Sequence, residues 1–201
     1  MMRTFDLFVI ELDKQIEDTV TTAGGLELYV DNRFREFDLR KNEAPVVATP
    51  FKYDTGVEVG DTLYFHHLVV LNEGQPLTGI ENNFLVRYNE EHAISNQAIA
   101  YKSKKDGEVR PLGGWAILSP IEEEKESIKE GKSGLVTVEL KEKPTTKAKL
   151  AFESEETKRM GLKVGDVVGF EKNIDYRFKI DGKEYIRIPE DRFLYVEVQD
   201  S

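Results

Sequence analysis

Short apolar segments alternate with polar turns along this chain, and that pattern predicts β-strands. β-Branched and aromatic residues dominate residues 8–12, 62–65, 84–88, 185–188 and 193–198, a composition typical of strands. Gly, Asp and Asn lie between many of these segments, and these residues favour tight turns. Many short strands joined by turns predict an all-β protein, organised as a barrel or a sandwich.

Long helical periodicity is missing from the sequence. The best helical candidate, residues 120–132, is rich in Glu and Lys and contains few apolar residues. Such a segment has no apolar face to bury. We therefore predict a solvated loop there, and we interpret the acidic run at residues 122–126 as a solvated charge run rather than a cation site, since it lacks a calcium-loop pattern.

The sequence contains an internal repeat. The segment GVEVGDTLYF at residues 56–65 returns as GLKVGDVVGF at residues 161–170, an offset of 105 residues. Farther along, NFLVRYNEE at residues 83–91 is answered by EYIRIPED at residues 184–191. Two matches in the same order predict two related units in tandem. The polar stretch YKSKKDG at residues 101–107 separates the copies and is expected to be a linker.

Length, charge and composition narrow the possible functions. A chain of 201 residues can hold two domains of about 100 residues each. The net charge of −10 disfavours nucleic acid as a partner. Residues 1–101 hold 17 acidic and 8 basic side chains, against 21 and 20 in residues 102–201. The net negative charge is therefore concentrated in the first half.

Several kinds of chemistry and location are excluded or disfavoured. The chain has no Cys, which removes disulfides, thiolate catalysis and Cys-ligated metals. No apolar run approaches the ~20 residues that span a bilayer. The first residues lack the layout of a signal peptide. We expect a cytoplasmic protein that does not bind a membrane.

Three ordered motifs in the second half carry a resemblance to a known family. VRPL at residues 109–112, followed by WAIL at residues 115–118, is similar to the opening Arg-Pro-Leu and first strand of the GroES-type co-chaperonins. LKVGDVVGF at residues 162–170 is similar to the central motif of that family. IDGKEY at residues 180–185 and the strand at residues 193–196 resemble its closing segment. The second half resembles the family over nearly its whole length.

The first half resembles the same family at other points. VIEL at residues 9–12 is similar to the first strand, without the Arg-Pro-Leu opening. The family's mobile loop places Gly-Gly before an apolar tripeptide, and the matching residues here are Gly24, Gly25, Leu26, Glu27 and Leu28. The corresponding loop of the second half holds Gly134, Leu135, Val136 and Thr137. Glu27 and Thr137 depart from the apolar pattern, so the two loops are expected to differ in affinity.

The resemblance implies a fold and a role. The implied fold is all-β, with two tandem GroES-like small β-barrels that each carry a flexible loop, at residues 1–101 and 108–201 around a linker at 102–107. The implied role is a homo-oligomeric ring that caps a GroEL-type chaperonin and assists ATP-dependent protein folding. The chaperonin would bind the ATP, so the chain is expected to have no cofactor and no catalytic residues of its own.

Other interpretations of these patterns stay open at this point. Gly-Gly-Leu-x-Leu is also an ordinary turn followed by a strand, in which Leu26 and Leu28 would belong to the core. A second class of function is a non-catalytic structural or assembly module, for example a viral one, that reuses the barrel without binding a chaperonin. An enzyme is a third class, but the sequence offers neither a nucleophile elbow nor a phosphate-binding loop.

The remaining candidate residues favour structural roles. His66 and His67 are adjacent, so in a strand they would face opposite sides and could not easily share a metal. With His92 the only other His, we predict no metal site and expect histidines at the surface or rim. Trp115 is expected in the core, on the first strand of the second unit.

Overall fold

The computed structural model describes residues 4–16, 19–21, 24–29, 39–70, 75–76, 82–121 and 145–197. Within these ranges the chain forms fifteen strands and a short α-helix, α1, at Glu155–Arg159. Short 3₁₀ helices lie at His67–Val70, Ala93–Ser95 and Glu190–Arg192. The strands of the first half are β1 Leu7–Glu11, β2 Thr19–Thr21, β3 Glu27–Tyr29, β4 Glu43–Ala48, β5 Thr62–Phe65, β6 Gln75–Pro76, β7 Asn83–Arg87 and β8 Ala98–Lys102. The others are β9 Val109–Pro111, β10 Trp115–Pro120, β11 Lys147–Phe152, β12 Val167–Phe170, β13 Tyr176–Ile180, β14 Lys183–Pro189 and β15 Phe193–Glu197.

The strands form two large sheets and a separate hairpin. The first sheet has the order β6-β7-β1-β4-β5-β8-β9, and the second has the order β13-β14-β10-β11-β12-β15. Strands β2 and β3 pair only with each other in the described residues. Neighbouring strands run antiparallel in both large sheets. The prediction of an all-β protein is confirmed.

Six strands recur in the same spatial order in the two sheets. Strands β6-β7-β1-β4-β5-β8 of the first sheet correspond to β13-β14-β10-β11-β12-β15 of the second. The irregularities also coincide, because the register shifts after Val9 in β1 and after Ile117 in β10. A second shift follows Tyr64 in β5 and Gly169 in β12. The sequence repeat is therefore a repeat of topology as well.

The repeated Val-Gly-Asp motif forms the same turn twice. Gly60 and Gly165 both have positive φ, at 90° and 102°, a conformation that favours glycine. Their N–H groups donate to the carbonyl oxygens of Val46 in β4 and Leu150 in β11, at 2.8 and 2.9 Å. The next residue in each copy is a buried aspartate. The motif therefore specifies how β5 and β12 enter their sheets.

Each sheet packs its own hydrophobic core. The first core contains Phe8, Ile10, Leu63, Phe65 and Val86 among its buried side chains. The second core is smaller, and its buried side chains include the following: Leu118, Leu150, Val168, Phe170 and Ile188. Alternate residues of β4 and β11 point into these cores, with buried and exposed positions following a period of two.

Predicted strand positions agree with the structure, whereas the predicted closed barrels are wrong for the described residues. β5 occupies residues 62–65 as expected, and β1, β7, β14 and β15 overlap the other predicted segments. In the described residues both large sheets remain open, since their edge strands do not pair with each other. A periodic pattern specifies strands, but closure depends on the tilt and stagger of the whole sheet.

Two further expectations can be compared with the structure. Trp115 is buried at the start of β10, as predicted. Of the expected linker, residues 102–107, Lys102 ends β8 and residues 103–107 lie in the turn to β9, where Ser103 N–H donates to Glu108 O at 3.0 Å. The residues of the predicted solvated loop that follow Ile121, including the acidic run, lie outside the described residues.

Candidate protein-binding site

A two-stranded hairpin presents the Gly-Gly-Leu segment of the first half. β2 and β3 pair Thr19 with Tyr29 and Thr21 with Glu27. Gly25 in the connecting turn has a φ of +78°, and among the described residues, its two chain neighbours apart, no atom lies within 4 Å of the position a Cβ would occupy there. An isolated two-stranded hairpin is marginally stable in water. The pairing of β2 with β3 is therefore expected to contribute little stability by itself.

The apolar side chains at this hairpin are exposed to solvent. Leu26 is 62% exposed and Leu28 is 48% exposed. Side chains two residues apart in an extended segment project to the same face, so the two leucines form one apolar tip. The alternative that places these leucines in the core is wrong. Glu27, also exposed, projects to the opposite face.

Tyr29 is a further exposed aromatic residue of the hairpin that was missed from the sequence, and like Glu27 it projects to the face opposite Leu28. It is 86% exposed and lies at the end of β3, directly after Leu28. The sequence signal for Tyr29 was its position, because this aromatic residue directly follows the Leu-Glu-Leu tripeptide. Residues 24–28 thus lie together at one tip, whereas Gly134, Leu135, Val136 and Thr137 of the second predicted loop lie outside the described residues.

A third hydrophobic cluster joins the two halves of the chain. Tyr64, Ile99 and Ala100 of the first sheet are buried with a set of residues from the second sheet. That set comprises Ile117, Phe178, Ile180 and Tyr185. Two apolar runs in the sequence point to this cluster, AIAY at residues 98–101 and WAIL at residues 115–118. Uninterrupted apolar runs of this kind are typical of strands covered on both faces.

Polar contacts accompany this hydrophobic junction. Asn42 Nδ2 donates to Lys179 O at 3.0 Å, and Lys102 Nζ forms an ion pair with Asp181 at 2.7 Å. β9 strengthens the connection because it pairs with β8 of the first sheet and leads directly into β10 of the second. The two halves therefore share backbone, apolar and ionic contacts.

The two adjacent histidines lie at this junction, which corrects the prediction about them. His66 and His67 stack on each other with ring centroids 4.5 Å apart, and both stack on Tyr176. The Tyr176 hydroxyl accepts the His67 backbone N–H at 3.1 Å and lies 2.7 Å from His67 Nδ1. The rings share one side because β5 ends at Phe65, so His66 and His67 do not follow strand alternation.

Arg187 completes the aromatic stack. Its guanidinium lies 3.8 Å from the centre of the Trp115 ring and 4.8 Å from that of Tyr176, within the range of cation–π attraction. Burial lowers the pKa of Arg187 to about 10. Burial, together with the nearby charges of Arg187 and His67, lowers the pKa of His66 to about 3.

The described residues were also searched for other kinds of site. In residues 4–197, apart from the gaps given above, no group of three or more His, Asp or Glu side chains converges as metal ligands would. No helix in the described part of the chain is long and apolar enough to cross a membrane. A groove of about 1020 Å³ lies between the halves, and its lining mixes basic Arg110 and Lys183 with acidic Glu153 and Asp181.

Comparison with known proteins places this chain among relatives of one kind. It is 36% identical over 96 residues to the Co-chaperonin GroES of Coprothermobacter proteolyticus, which covers 44% of this chain and 94% of that protein. The chain belongs to the GroES co-chaperonin family. The Co-chaperonin GroES of Symbiobacterium thermophilum is also 36% identical, over 98 residues that cover 45% of this GroES-family chain and 97% of the relative.

A third relative gives the same result. The Co-chaperonin GroES of Kosmotoga olearia is 33% identical over 86 residues, 43% of this chain and 92% of that protein. No protein-family model matches the sequence. Each relative is thus matched almost from end to end by less than half of this GroES-family chain, which leaves room for a second unit of the same size.

Proposed function

We propose that this protein is a tandem co-chaperonin that caps a GroEL-type chaperonin ring and assists ATP-dependent protein folding. The observation that carries the proposal is the exposed leucine pair, Leu26 and Leu28, on a glycine-turned hairpin of a GroES-family chain. Residues 24–28 are the proposed chaperonin-binding segment, and the exposed Tyr29 lies on the opposite face of β3 from Leu28. The chaperonin supplies the ATP site, and this chain contributes no cofactor and no covalent chemistry.

The energetics of such a hairpin suit a reversible lid. Burying two leucine side chains contributes roughly 3–6 kcal/mol gross. Fixing the backbone costs about 1–2 kcal/mol for each residue ordered, so a single hairpin binds weakly. Several hairpins presented by one assembly bind well, because each later contact is effectively intramolecular. We therefore propose a homo-oligomeric ring as the active form.

The tandem organisation is part of the proposal. The support for it is the matching order of six strands in the two sheets and the coverage of each relative by less than half of the chain. We assign residues 1–101 and 108–201 to two GroES-like units joined by residues 102–107. Gly134, Leu135, Val136 and Thr137 form the proposed second binding segment, with lower affinity because Thr137 replaces an apolar residue. The acidic surface makes nucleic acid an unsuitable partner, and the cytoplasm is the proposed location.

The decisive experiment removes the apolar tip. Leu26→Ser with Leu28→Ser is expected to lower the affinity for a GroEL-type chaperonin by at least tenfold in the presence of ATP, because the buried apolar area is lost. Binding is measured by co-migration with the chaperonin and by suppression of its ATPase. Met160→Ser is the matched control, since Met160 is also exposed but lies at the end of α1 in the other half.

The outcomes separate the two classes of function. Full binding by the double leucine variant would show that another surface contacts the chaperonin. Absence of binding by the unmodified chain, at every ATP condition, would favour the structural or assembly module instead. Leu135→Ser with Val136→Ser, measured in the same way, reports the contribution of the second segment and is expected to have the smaller effect.

A further inference from the structure

The hairpin formed by β2 and β3 has a second face besides the one that carries Leu28. Successive side chains of a strand point to opposite faces, so Glu27 and Tyr29 share the face that Leu28 does not use. All three side chains of β3 are exposed. The residues directly opposite Glu27 and Tyr29 on β2 are Thr21 and Thr19, which carry no charge. The second face therefore combines one carboxylate with one aromatic ring.

Neither side chain of this second face has a partner in the part of the chain that the structure describes. Tyr29 is 86% exposed, and Glu27 is exposed as well. No described hydrogen bond, ion pair or ring contact involves the Glu27 carboxylate or the Tyr29 ring. The chain's own contacts therefore leave this ring unburied, whereas tyrosine is enriched at the centres of protein–protein interfaces. The pair is available to a partner protein.

Docking of the leucine tip brings Glu27 to the contact with the chaperonin, because Glu27 lies between Leu26 and Leu28 in the chain. A carboxylate that loses its water costs free energy unless a cation replaces that water. The described part of this chain brings no basic group to Glu27. The cation must then come from the partner.

The spacing of the pair fits a single basic side chain. Residues two positions apart on a strand are separated by about 7 Å. An ion pair needs a nitrogen within about 4 Å of a carboxylate oxygen, and cation–π attraction acts within about 6 Å of the ring centre. One lysine or arginine side chain placed between Glu27 and Tyr29 satisfies both conditions. Arginine fits best, since its planar guanidinium can bind a carboxylate through two hydrogen bonds and stack on an aromatic ring.

We propose that Glu27 and Tyr29 together bind one basic side chain of the chaperonin, so that the first hairpin selects a chaperonin with a positive charge beside its leucine-binding surface. This inference rests on the proposed function and deepens it by naming the chemistry of the partner. Residues 1–101 carry 17 acidic and 8 basic side chains, and such an excess steers a protein towards basic surfaces. The second proposed segment has Val136 at the position of Glu27, so this selectivity belongs to the first hairpin alone.

The direction of the effect of replacing Glu27 tests the proposal against the simplest alternative, in which the charge only weakens an apolar tip. Glu27→Val restores an apolar tripeptide, and Glu27→Gln removes the charge while keeping the shape. Both are expected to lower the affinity for a GroEL-type chaperonin at least about fivefold in the presence of ATP, because the partner cation loses its carboxylate. Glu11→Gln removes another exposed carboxylate of the first half and should leave the affinity unchanged. Equal or higher affinity of the Glu27 variants would overturn the proposal.

Variants of Tyr29 test whether the two side chains hold the same group. Tyr29→Phe retains the ring and should bind within about twofold of the unmodified chain, whereas Tyr29→Ser should lose about fivefold in affinity. When Glu27→Gln and Tyr29→Ser are combined, the loss should be smaller than the product of the two single losses, since both changes remove contacts of one partner group. Single losses that simply multiply would contradict a shared partner group.

Salt dependence separates this inference from the proposed function. Binding by the unmodified chain should weaken as the salt concentration rises, and Glu27→Gln should reduce that dependence, because salt screens an exposed ion pair. If the Leu26→Ser, Leu28→Ser variant fails to bind while the Glu27 variants bind like the unmodified chain at every salt concentration, the lid stands and the basic partner group is ruled out. If the unmodified chain does not bind in any condition, the lid itself fails, and the selectivity that rests on it fails with it.

Discussion

The two aspartates of the repeated turn share one hydrogen bond in both halves. Asp61 Oδ2 accepts the Glu58 N–H at 2.8 Å, and Asp166 Oδ2 accepts the Lys163 N–H at 2.9 Å. Asp61 also accepts the Lys104 N–H at 3.0 Å, so it ties this turn to the turn between β8 and β9. Both side chains are buried. Each aspartate therefore stabilises backbone donors that the turn would otherwise leave without an acceptor.

Replacing one of these aspartates tests this role. Asp61→Ala is expected to lower the free energy of unfolding by about 1–3 kcal/mol, because two backbone N–H groups lose their acceptor. Urea unfolding measures the change. Asp181→Asn is the control, since Asp181 is exposed, Asn tolerates its φ of +49°, and only a surface ion pair with Lys102 is lost, worth about 0.2–1 kcal/mol. Equal losses from the two variants would show that the buried acceptor has no special role.

At the scale of an element, helix α1 shows how a local signal stabilises a short segment. Ser154 at its N-cap accepts the Thr157 N–H at 3.0 Å, and Thr157 Oγ1 accepts the Ser154 N–H at 2.8 Å. Ser154 also forms a hydrogen bond with the buried carboxyl of Glu190. The helix has only five residues, too few to be stable alone. Its cap and its contact with Glu190 hold it against the sheet.

The N-cap hydrogen bond of Ser154 predicts a measurable contribution to the free energy of unfolding. Ser154→Ala should lower the free energy of unfolding by about 1 kcal/mol, because the N-cap acceptor disappears. Ser154→Thr retains a hydroxyl at the same position and should preserve most of the stability. Thermal and urea unfolding of the three proteins measure the difference. Similar losses for Ala and Thr would mean that packing, rather than the cap, stabilises α1.

At the scale of the whole molecule, the junction joins the two halves through apolar side chains and an aromatic stack. Tyr64 and Ile99 are buried against Ile117 and Tyr185, while His66, His67 and Tyr176 stack beside them. Because β9 pairs with the first sheet and continues into the second, separating the halves would also disrupt strand pairing. We therefore expect the two halves to move together rather than as domains on a tether.

The junction makes stability depend on pH. The pKa of His66 in the folded protein is lowered to about 3 from an ordinary value of 6.5, so the unfolded chain binds a proton more readily. The stability associated with neutral His66 is complete above about pH 6.5 and is lost as the pH falls towards 3. Unfolding measured between pH 7 and pH 5 should show this decline before most carboxylates titrate.

Two histidine variants provide the comparison. His66→Phe retains a ring that can stack on Tyr176 but cannot titrate, so its stability should vary less with pH than that of the wild type. His92→Phe removes an exposed histidine and should keep the wild-type dependence. If His66→Phe and the wild type show the same pH dependence, His66 does not couple protonation to folding.

The strands, the duplicated turn and the exposed leucines could be predicted from the sequence because their causes are local. Apolar segments bounded by turn residues indicated β1, β5, β7, β14 and β15, and the Val-Gly-Asp motif indicated two turns that have the same backbone hydrogen bonds. Gly24 and Gly25 before an apolar tripeptide indicated the hairpin tip. Helix α1 was missed because its five residues lack an apolar period, although Ser154 and Thr157 supply a local cap.

By itself, the sequence determined the all-β character, the internal repeat of the Val-Gly-Asp motif and the resemblance to the family, since these depend on neighbouring residues and on order along the chain. Only the tertiary structure decided that the sheets are open in the described residues and that the His66 and His67 rings stack on the same side. It also decided that Tyr64 is buried between the two halves whereas Tyr195 is exposed to solvent. The physical reason is distance along the chain. His67 and Tyr176 are 109 positions apart, and contacts of that kind depend on how two complete sheets pack together.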